Sequence, residues 1–291
     1  MAFRNRPKAP GTRVTPCHAI VPVNPFRILL WPFRGRGDPP VQSVPQAQDA
    51  TTAIRYQDTA ILFATPNYAT RWRVDTFFDK EPDTLEWIAG FERGEVLVDV
   101  GANVGMYTIW AAITRAARVF AFEPESQNYA LLYANIVRNG LTRQVTGYCA
   151  ALSDEQSFSL LYLSDFMAGG SVHTFGAEHD YKLARRPSAT VQGGISTTLD
   201  HLVASGAVPL PHHIKIDVDG LEHKVIAGSR DVLANPKVKS VLVEINTNLA
   251  EHRALIPELE QFGFRYSRDQ AQRSMRKEGP FTGVGNHVFR R

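Results

Sequence analysis

Between residues 95 and 245 the chain carries five short runs rich in apolar β-formers: "EVLVDV" (95–100), "RVFAFE" (118–123), "VTGYCAAL" (145–152), "HIKIDV" (213–218) and "KSVLVEI" (239–245). Helical stretches such as "GMYTIWAAITRAA" and "SQNYALLYANIVRNG" separate the early ones. Strands apolar on both faces are buried on both faces, so the pattern describes an α/β fold: a mostly parallel sheet between two layers of helices. The C-terminal "FRYSR" and "GNHVFRR" are expected to close that sheet as an antiparallel pair. Upstream, "AILFATP" and "TRWRVDTFF" read as short strands. "EPDTLEWIAGF" reads as a helix, with Pro82 near its start and Leu85, Ile88 and Ala89 at helical spacing.

The rest of the chain sets limits on partners and compartment. Nine of the 18 prolines fall in the first 50 residues, which suggests an extended leader over 1–50 ahead of a single domain over 51–291. Residues 1–37 hold seven Lys/Arg and no acid, leaving 25 basic and 29 acidic groups, net −4, for residues 38–291. A body without excess positive charge is not expected to bind nucleic acid. The leader's "IVPVNPFRILLWPF" is broken by Pro22, Pro25, Arg27 and Pro32 and makes a poor signal peptide. No apolar run reaches the roughly 20 residues of a membrane span. Cys17 and Cys149 match neither a disulfide framework nor a zinc spacing, so a reducing, cytoplasmic location is expected.

"VLVDVGANVGMYT" (96–108) sets Asp99, Gly101, Asn103 and Gly105 where the first strand gives way to a helix. Glycine and asparagine tolerate the left-handed backbone that lets a loop approach a ligand closely, and free N–H groups at a helix start favour an anion. Glu123 ends the second strand and can accept hydrogen bonds from both hydroxyls of a ribose. The loop is G-x-x-x-G rather than the dinucleotide G-x-G-x-x-G, which counts against a nicotinamide-dependent oxidoreductase. A plain strand–helix turn and a solvated strand-end acid are the bland alternatives.

Taken in order, "DVGANVGMYT", "FAFEPESQNYALLYANIVRNG", "IKIDVDGLEHKVIAG" and "VLVEIN" resemble the FkbM family of S-adenosylmethionine-dependent methyltransferases, over roughly residues 75 to 250. The resemblance implies a class I methyltransferase fold, Rossmann-like, with a seven-stranded and mostly parallel sheet. It implies S-adenosylmethionine across the strand C-termini, with Asp99, Gly101, Asn103 and Gly105 along its methionine part and Glu123 on the ribose. Ala150, Ala151 and Asp154 would then flank the adenine. This chain has Asp219 where the family most often has glutamate.

Side chains alternate along a strand, so Lys215 and Asp217 share one face of "HIKIDV" and Asp217 reaches the ligand-binding rim. Glu244 and Asn246 share a face at the end of the next strand. Asp219 and Glu222 fit a D-x-x-E capping box and are assigned to the helix start rather than to chemistry. The expected catalytic set is Asp217, Lys215 and Glu244, with an acid taking the proton of an alcohol as it attacks the methyl group. A similarity to catechol-type O-methyltransferases leaves a second version open, in which the acids and Asn246 hold a divalent metal; no metal ligand is assigned. A structural Lys215–Asp217 ion pair is the non-catalytic alternative.

The loop "SDFMAGGSVHTFG" (164–176) suits either a substrate lid or a plain surface loop. His173 within it, and His212 and His213 before the fourth strand, suit structural roles. Amino-directed enzymes place an N/D-P-P-Y/F motif after the fourth strand, where this chain has "DVDG". The expected activity is therefore methylation of a hydroxyl on a small molecule or sugar, with a non-catalytic cofactor-binding module as the rival from another class.

Overall fold

The computed structural model describes residues 50–188 and 190–291. The expected leader, with Cys17 and the apolar piece of 20–33, lies outside the described residues apart from Ala50. Seven strands form the central sheet: β1 (Val96–Val100), β2 (Arg118–Phe122), β3 (Val145–Tyr148), β4 (His213–Ile216), β5 (Ser240–Asn246), β6 (Arg265–Tyr266) and β7 (Val284–Arg290). Their spatial order is β3-β2-β1-β4-β5-β7-β6. Strands β1 to β5 run parallel, and β7 runs antiparallel between β5 and β6. The sheet is thus mixed, reversed at one strand near its C-terminal edge. Strand order turns back between β1 and β4, which opens a crevice at that rim.

Alternation along the strands divides the core in two. Leu97, Val119, Ala121 and Leu242 pack with Trp87, Ile109, Leu132 and Ile136 from the helices Pro82–Ala89, Met106–Arg115 and Ser126–Arg138. Val98, Val100, Phe120, Ile214, Ile216 and Val243 pack instead with Val225, Ile226, Leu255 and Leu259 from Glu222–Ala227 and Ala250–Gln261. Lys215 and Asp99 are paired neighbours in the β4–β1 register, two charges inside the sheet with Leu97 just below them.

Two segments depart from expectation. "TRWRVDTFF" is helical, as Tyr68–Asp75 and Phe77–Lys80, because Asn67 and Thr70 form a reciprocal cap: Thr70 N–H donates to Asn67 Oδ1 at 2.9 Å and Asn67 N–H to Thr70 Oγ1 at 3.2 Å. "VTGYCAAL" breaks after Tyr148, and Ala151–Leu152 leaves the central sheet. It joins a second sheet with Thr190–Thr197, Ser157–Leu163 and Thr174–Phe175 that sequence periodicity did not reveal. A hairpin of Thr51–Tyr56 and Thr59–Ala64 precedes the central sheet, its Ala64 N–H donating to Asn135 Oδ1 at 2.7 Å.

At the rim opposite the crevice, His213 bridges Glu95 at 2.8 Å and Ser240 at 2.7 Å and stacks on Phe91. Burial pulls its pKa down to about 4, against the pull of Glu95. Among the described residues no helix is long and apolar enough to cross a membrane.

Candidate active site

The loop after β1 folds back over the β1–β4 crevice. Gly101, Asn103 and Gly105 have φ of 80°, 51° and 85°, left-handed values that suit glycine and asparagine. At Gly101 a Cβ would lie 1.9 Å from the Asp217 carbonyl oxygen, so only glycine lets the two strand ends meet. Gly105 serves packing: a Cβ there would lie 2.5 Å from Leu132 Cδ1. Asp99 stands behind the loop rather than on its surface, 1% exposed, taking the Thr108 hydroxyl on Oδ2 at 2.5 Å. Burial raises its pKa, with Lys215 opposing.

A cleft of about 590 Å³ runs along the strand ends, lined by Gly101, Asn103, Glu123, Ala151, Asp217 and Asp219 among others. Glu123 accepts Asn103 N–H at 2.8 Å on Oε2 and Glu125 N–H at 2.9 Å on Oε1. Each oxygen keeps a further lone pair for a ligand. Burial raises the Glu123 pKa to about 7, since two N–H donors do not offset lost hydration. Asp154 is not part of this cleft. The departure of Ala151–Leu152 from β3 carries it outward, where its half-exposed carboxylate pairs with Lys224 at 3.5 Å.

The loop 164–176 forms a strap at the cleft. Asn67 donates to Ala168 O at 2.8 Å, Arg73 to Gly169 O at 2.9 Å and Asn103 to Gly170 O at 2.7 Å. Asn128 accepts Gly169 N–H at 2.7 Å, and Asp219 accepts Val172 N–H at 2.6 Å. Val172 and Asp219 both hold left-handed backbone, φ 63° and 55°, a strained state for a β-branched residue. Ser171 and His173 from the strap line the cleft. His173 Nδ1 accepts Ser164 N–H at 3.2 Å, which leaves Nε2 as the N–H donor, buried and without a partner among the described residues. Burial also lowers the His173 pKa and favours its neutral form.

Asp219 and Glu222 do not form the expected capping box. The helix Glu222–Ala227 has Leu221 at its cap without a side-chain bond, because the turn at Asp219 points that carboxylate to the strap. Glu222 folds back to accept Val218 N–H at 2.8 Å and Gly220 N–H at 3.1 Å, and lies 3.1 Å from His252 Nε2. Burial raises Glu222 to about 8, and burial with the nearby Asp217 charge raises Asp219 to about 6.

Lys215 is 2% exposed and donates to Asp217 Oδ2 at 2.7 Å. Burial alone would depress its pKa; Asp217, Asp99 and Glu81 overcome it and lift the ammonium above its ordinary value. A second pocket, about 450 Å³, opens beside the first and is lined by Arg73, Lys80, Glu81, Tyr107, Lys215 and Asp217 together with apolar side chains. Burial opposes the charge on Glu81, but Lys80 and Lys215 hold its pKa down at about 2. Gly101, Asn103 and Asp217 line both pockets, so Asp217 stands at their seam.

Glu244 lines neither pocket and bonds Arg276 at 3.0 Å; burial and Asp217 raise its pKa against that partner. Asn246 is turned toward Asn248, whose N–H it accepts at 3.1 Å. Asp217, Glu222 and Glu244 do offer oxygens within 4.8 Å of one another. Yet Lys215, two backbone N–H groups and Arg276 already engage them, an arrangement of satisfied acids rather than an open hard-cation site. Sequence reasoning assigns no role to Arg73, Lys80, Glu81 or Tyr107, although Tyr107 falls within "DVGANVGMYT" and Glu81 opens a helix.

The strand order, the glycine loop at the switch point and the acid at the end of β2 define a Rossmann-like α/β protein of the class I methyltransferase type. The chain belongs to the FkbM methyltransferase family: the model for the methyltransferase FkbM domain matches residues 99–266, more than half its length. It is 28% identical over 190 residues to the hexuronic acid methyltransferase AglP of Haloferax volcanii, covering 65% of this chain and 72% of that protein. It is 27% identical over 173 residues to the 31-O-demethyl-FK506 methyltransferase FkbM of Streptomyces tacrolimicus, covering 53% of this chain and 66% of that protein. Among solved structures, a precorrin-6y C5,15-methyltransferase from Geobacter metallireducens aligns at 13% identity and a TM-score of 0.41, over 72% of this chain and 86% of its own. TYW2 of M. jannaschii, solved with AdoMet, aligns at 14% identity and a TM-score of 0.40, over 83% and 86%. Similarity that low adds nothing to the strand order and the family match.

Proposed function

We propose that this protein transfers the methyl group of S-adenosylmethionine to a hydroxyl oxygen of a sugar or similar small molecule. The observation that carries this is Asp217 at the seam of two pockets, one lined by the glycine loop and Glu123 and the other by Arg73, Lys80 and Lys215. The first fits the cofactor: Glu123 keeps free lone pairs for ribose hydroxyls, Ala151 offers an apolar surface for the adenine, and the orphaned His173 Nε2–H awaits an acceptor. Gly101 and Asn103 line the same cleft, with Asp99 and Gly105 fixing the loop behind them.

When bound, S-adenosylmethionine supplies an electrophilic methyl group on a sulfonium. The protein's task is alignment, exclusion of water and removal of one proton. Asp217 takes the proton of the acceptor hydroxyl, and the Lys215 ammonium, held by three acids, orients the carboxylate. Glu244 lies within 4.8 Å of Asp217 and is fixed there by its bond to Arg276. Arg73 and Lys80 bring positive charge to the acceptor pocket, which suits a carboxylate on the acceptor and agrees with the hexuronic acid named for the Haloferax relative. No step requires a metal, and activity should survive a chelator.

The test is transfer of labelled methyl from S-adenosylmethionine to a panel of uronic acids and matched neutral sugars, beside a thermal shift with S-adenosylhomocysteine and with NAD. Stabilisation by NAD and not by S-adenosylhomocysteine would overturn the proposal.

A further inference from the structure

The ribbon of Ser157–Leu163 and Thr190–Thr197 is apolar on its outer face, while its inner face mixes the buried Leu161 and Leu163 with small polar residues. Its antiparallel register pairs Phe158 with Ile195, Leu160 with Gly193 and Tyr162 with Val191 on the outer face. Phe158 is 91% exposed, Val191 51%, Ile195 44% and Leu160 42%. On the inner face Ser157 pairs with Ser196, Ser159 with Gly194 and Leu161 with Gln192. A half-solvated antiparallel sheet ordinarily turns its polar residues to water, so this apolar outer row marks a face made to be covered.

We propose that a second copy of this chain covers it, ribbon against ribbon about a two-fold axis. The outer face of the paired segment carries no charge, so it complements an equally uncharged surface. Four of the nine large exposed apolar side chains among the described residues lie on it, so no other described face matches it as well. The face is also self-complementary. Phe158 projects as a knob, and Gly193 leaves a shallow depression walled by Leu160, Tyr162 and Ile195. A two-fold operation sets each ring over the other copy's Gly193, as an isologous contact requires. Side chains of this size and exposure present roughly 500 Å² per copy, so two copies bury about 1,000 Å², the lower limit for a specific interface. The association is therefore concentration-dependent. It is also joined to the active site, since Leu161 on the inner side of the same strand lines the cofactor cleft and the strap follows directly from Leu163.

Sedimentation velocity on the full 291-residue chain, from about 1 to 100 µM, tests this. The mass is expected to rise from 32.4 kDa toward twice that value. Phe158→Thr with Ile195→Thr should hold the protein at the lower mass with its circular dichroism unchanged, because neither side chain is in the core and facing threonines suit a cross-strand pair. Phe158→Ser alone, should the double variant misfold, must weaken association at least tenfold. A wild type monomeric throughout overturns the proposal, as does a double variant that still dimerises. Dimerisation only after removal of residues 1–49 overturns it too, by showing that the N-terminal segment covers the face. So does monomeric wild type that binds phosphatidylcholine–phosphatidylglycerol vesicles through Phe158.

Discussion

Glu123 and Asp217 carry the residue-scale predictions. With a pKa of about 7, Glu123 changes charge in the ordinary working range, and the ionised form is the better acceptor for ribose hydroxyls. S-adenosylhomocysteine should therefore bind more weakly as pH falls from 8 to 6, and Glu123→Gln should flatten that dependence. Glu123→Ala should weaken binding by roughly tenfold or more, each charge-assisted bond contributing about 1.5–3 kcal/mol. Calorimetry across pH decides it; a pH-independent affinity in the wild type removes Glu123 from the ribose. Asp217→Asn keeps shape while removing the charge, so turnover should drop by about 10² while cofactor affinity holds. Activity that only tracks the folded fraction would reduce Asp217 to a structural partner of Lys215.

The strap is the element on which the cofactor cleft depends, and its latch is the bond from Val172 N–H to Asp219 Oδ2, between two residues in left-handed backbone. Asp219→Ala should leave the core intact and raise amide exchange across 167–173 at least tenfold, as read by hydrogen-exchange mass spectrometry. Unchanged protection would place the hold elsewhere, in Asn103 and Asn128. None of these contacts was visible in "SDFMAGGSVHTFG", because every partner comes from a distant stretch of chain. "TRWRVDTFF" failed for a nearer reason: its apolar residues fit either period, and the Asn67–Thr70 cap decided for helix.

At the scale of the whole molecule, buried acids and one buried histidine set opposing pH dependences. Glu222 titrates near 8 when folded against 4.5 unfolded, and Glu123 near 7, so their contribution is complete below pH 4.5 and is lost as pH rises through those values. His213 and Glu95 run the other way. Their folded values of about 4 and about 2, against 6.5 and 4.5, give stability that is lost as pH falls. The cofactor-free protein should then have its highest Tm at about pH 4.5, because above it the two raised acids outweigh His213. Glu222→Gln should flatten the alkaline side of that profile; a calorimetric Tm that climbs steadily to pH 9 would contradict both assignments. The sequence by itself determined the layered sheet, the glycine loop and the rim position of Asp217, because strand periodicity and left-handed backbone are local properties that each residue type states directly. Only the tertiary structure decided that Asp154 turns to solvent, that Asp219 latches a strap, and that Arg73, Lys80, Glu81 and Tyr107 meet Lys215. Those outcomes depend on which distant elements share a rim and on how deeply each side chain is buried there, neither of which is written in any single stretch of chain.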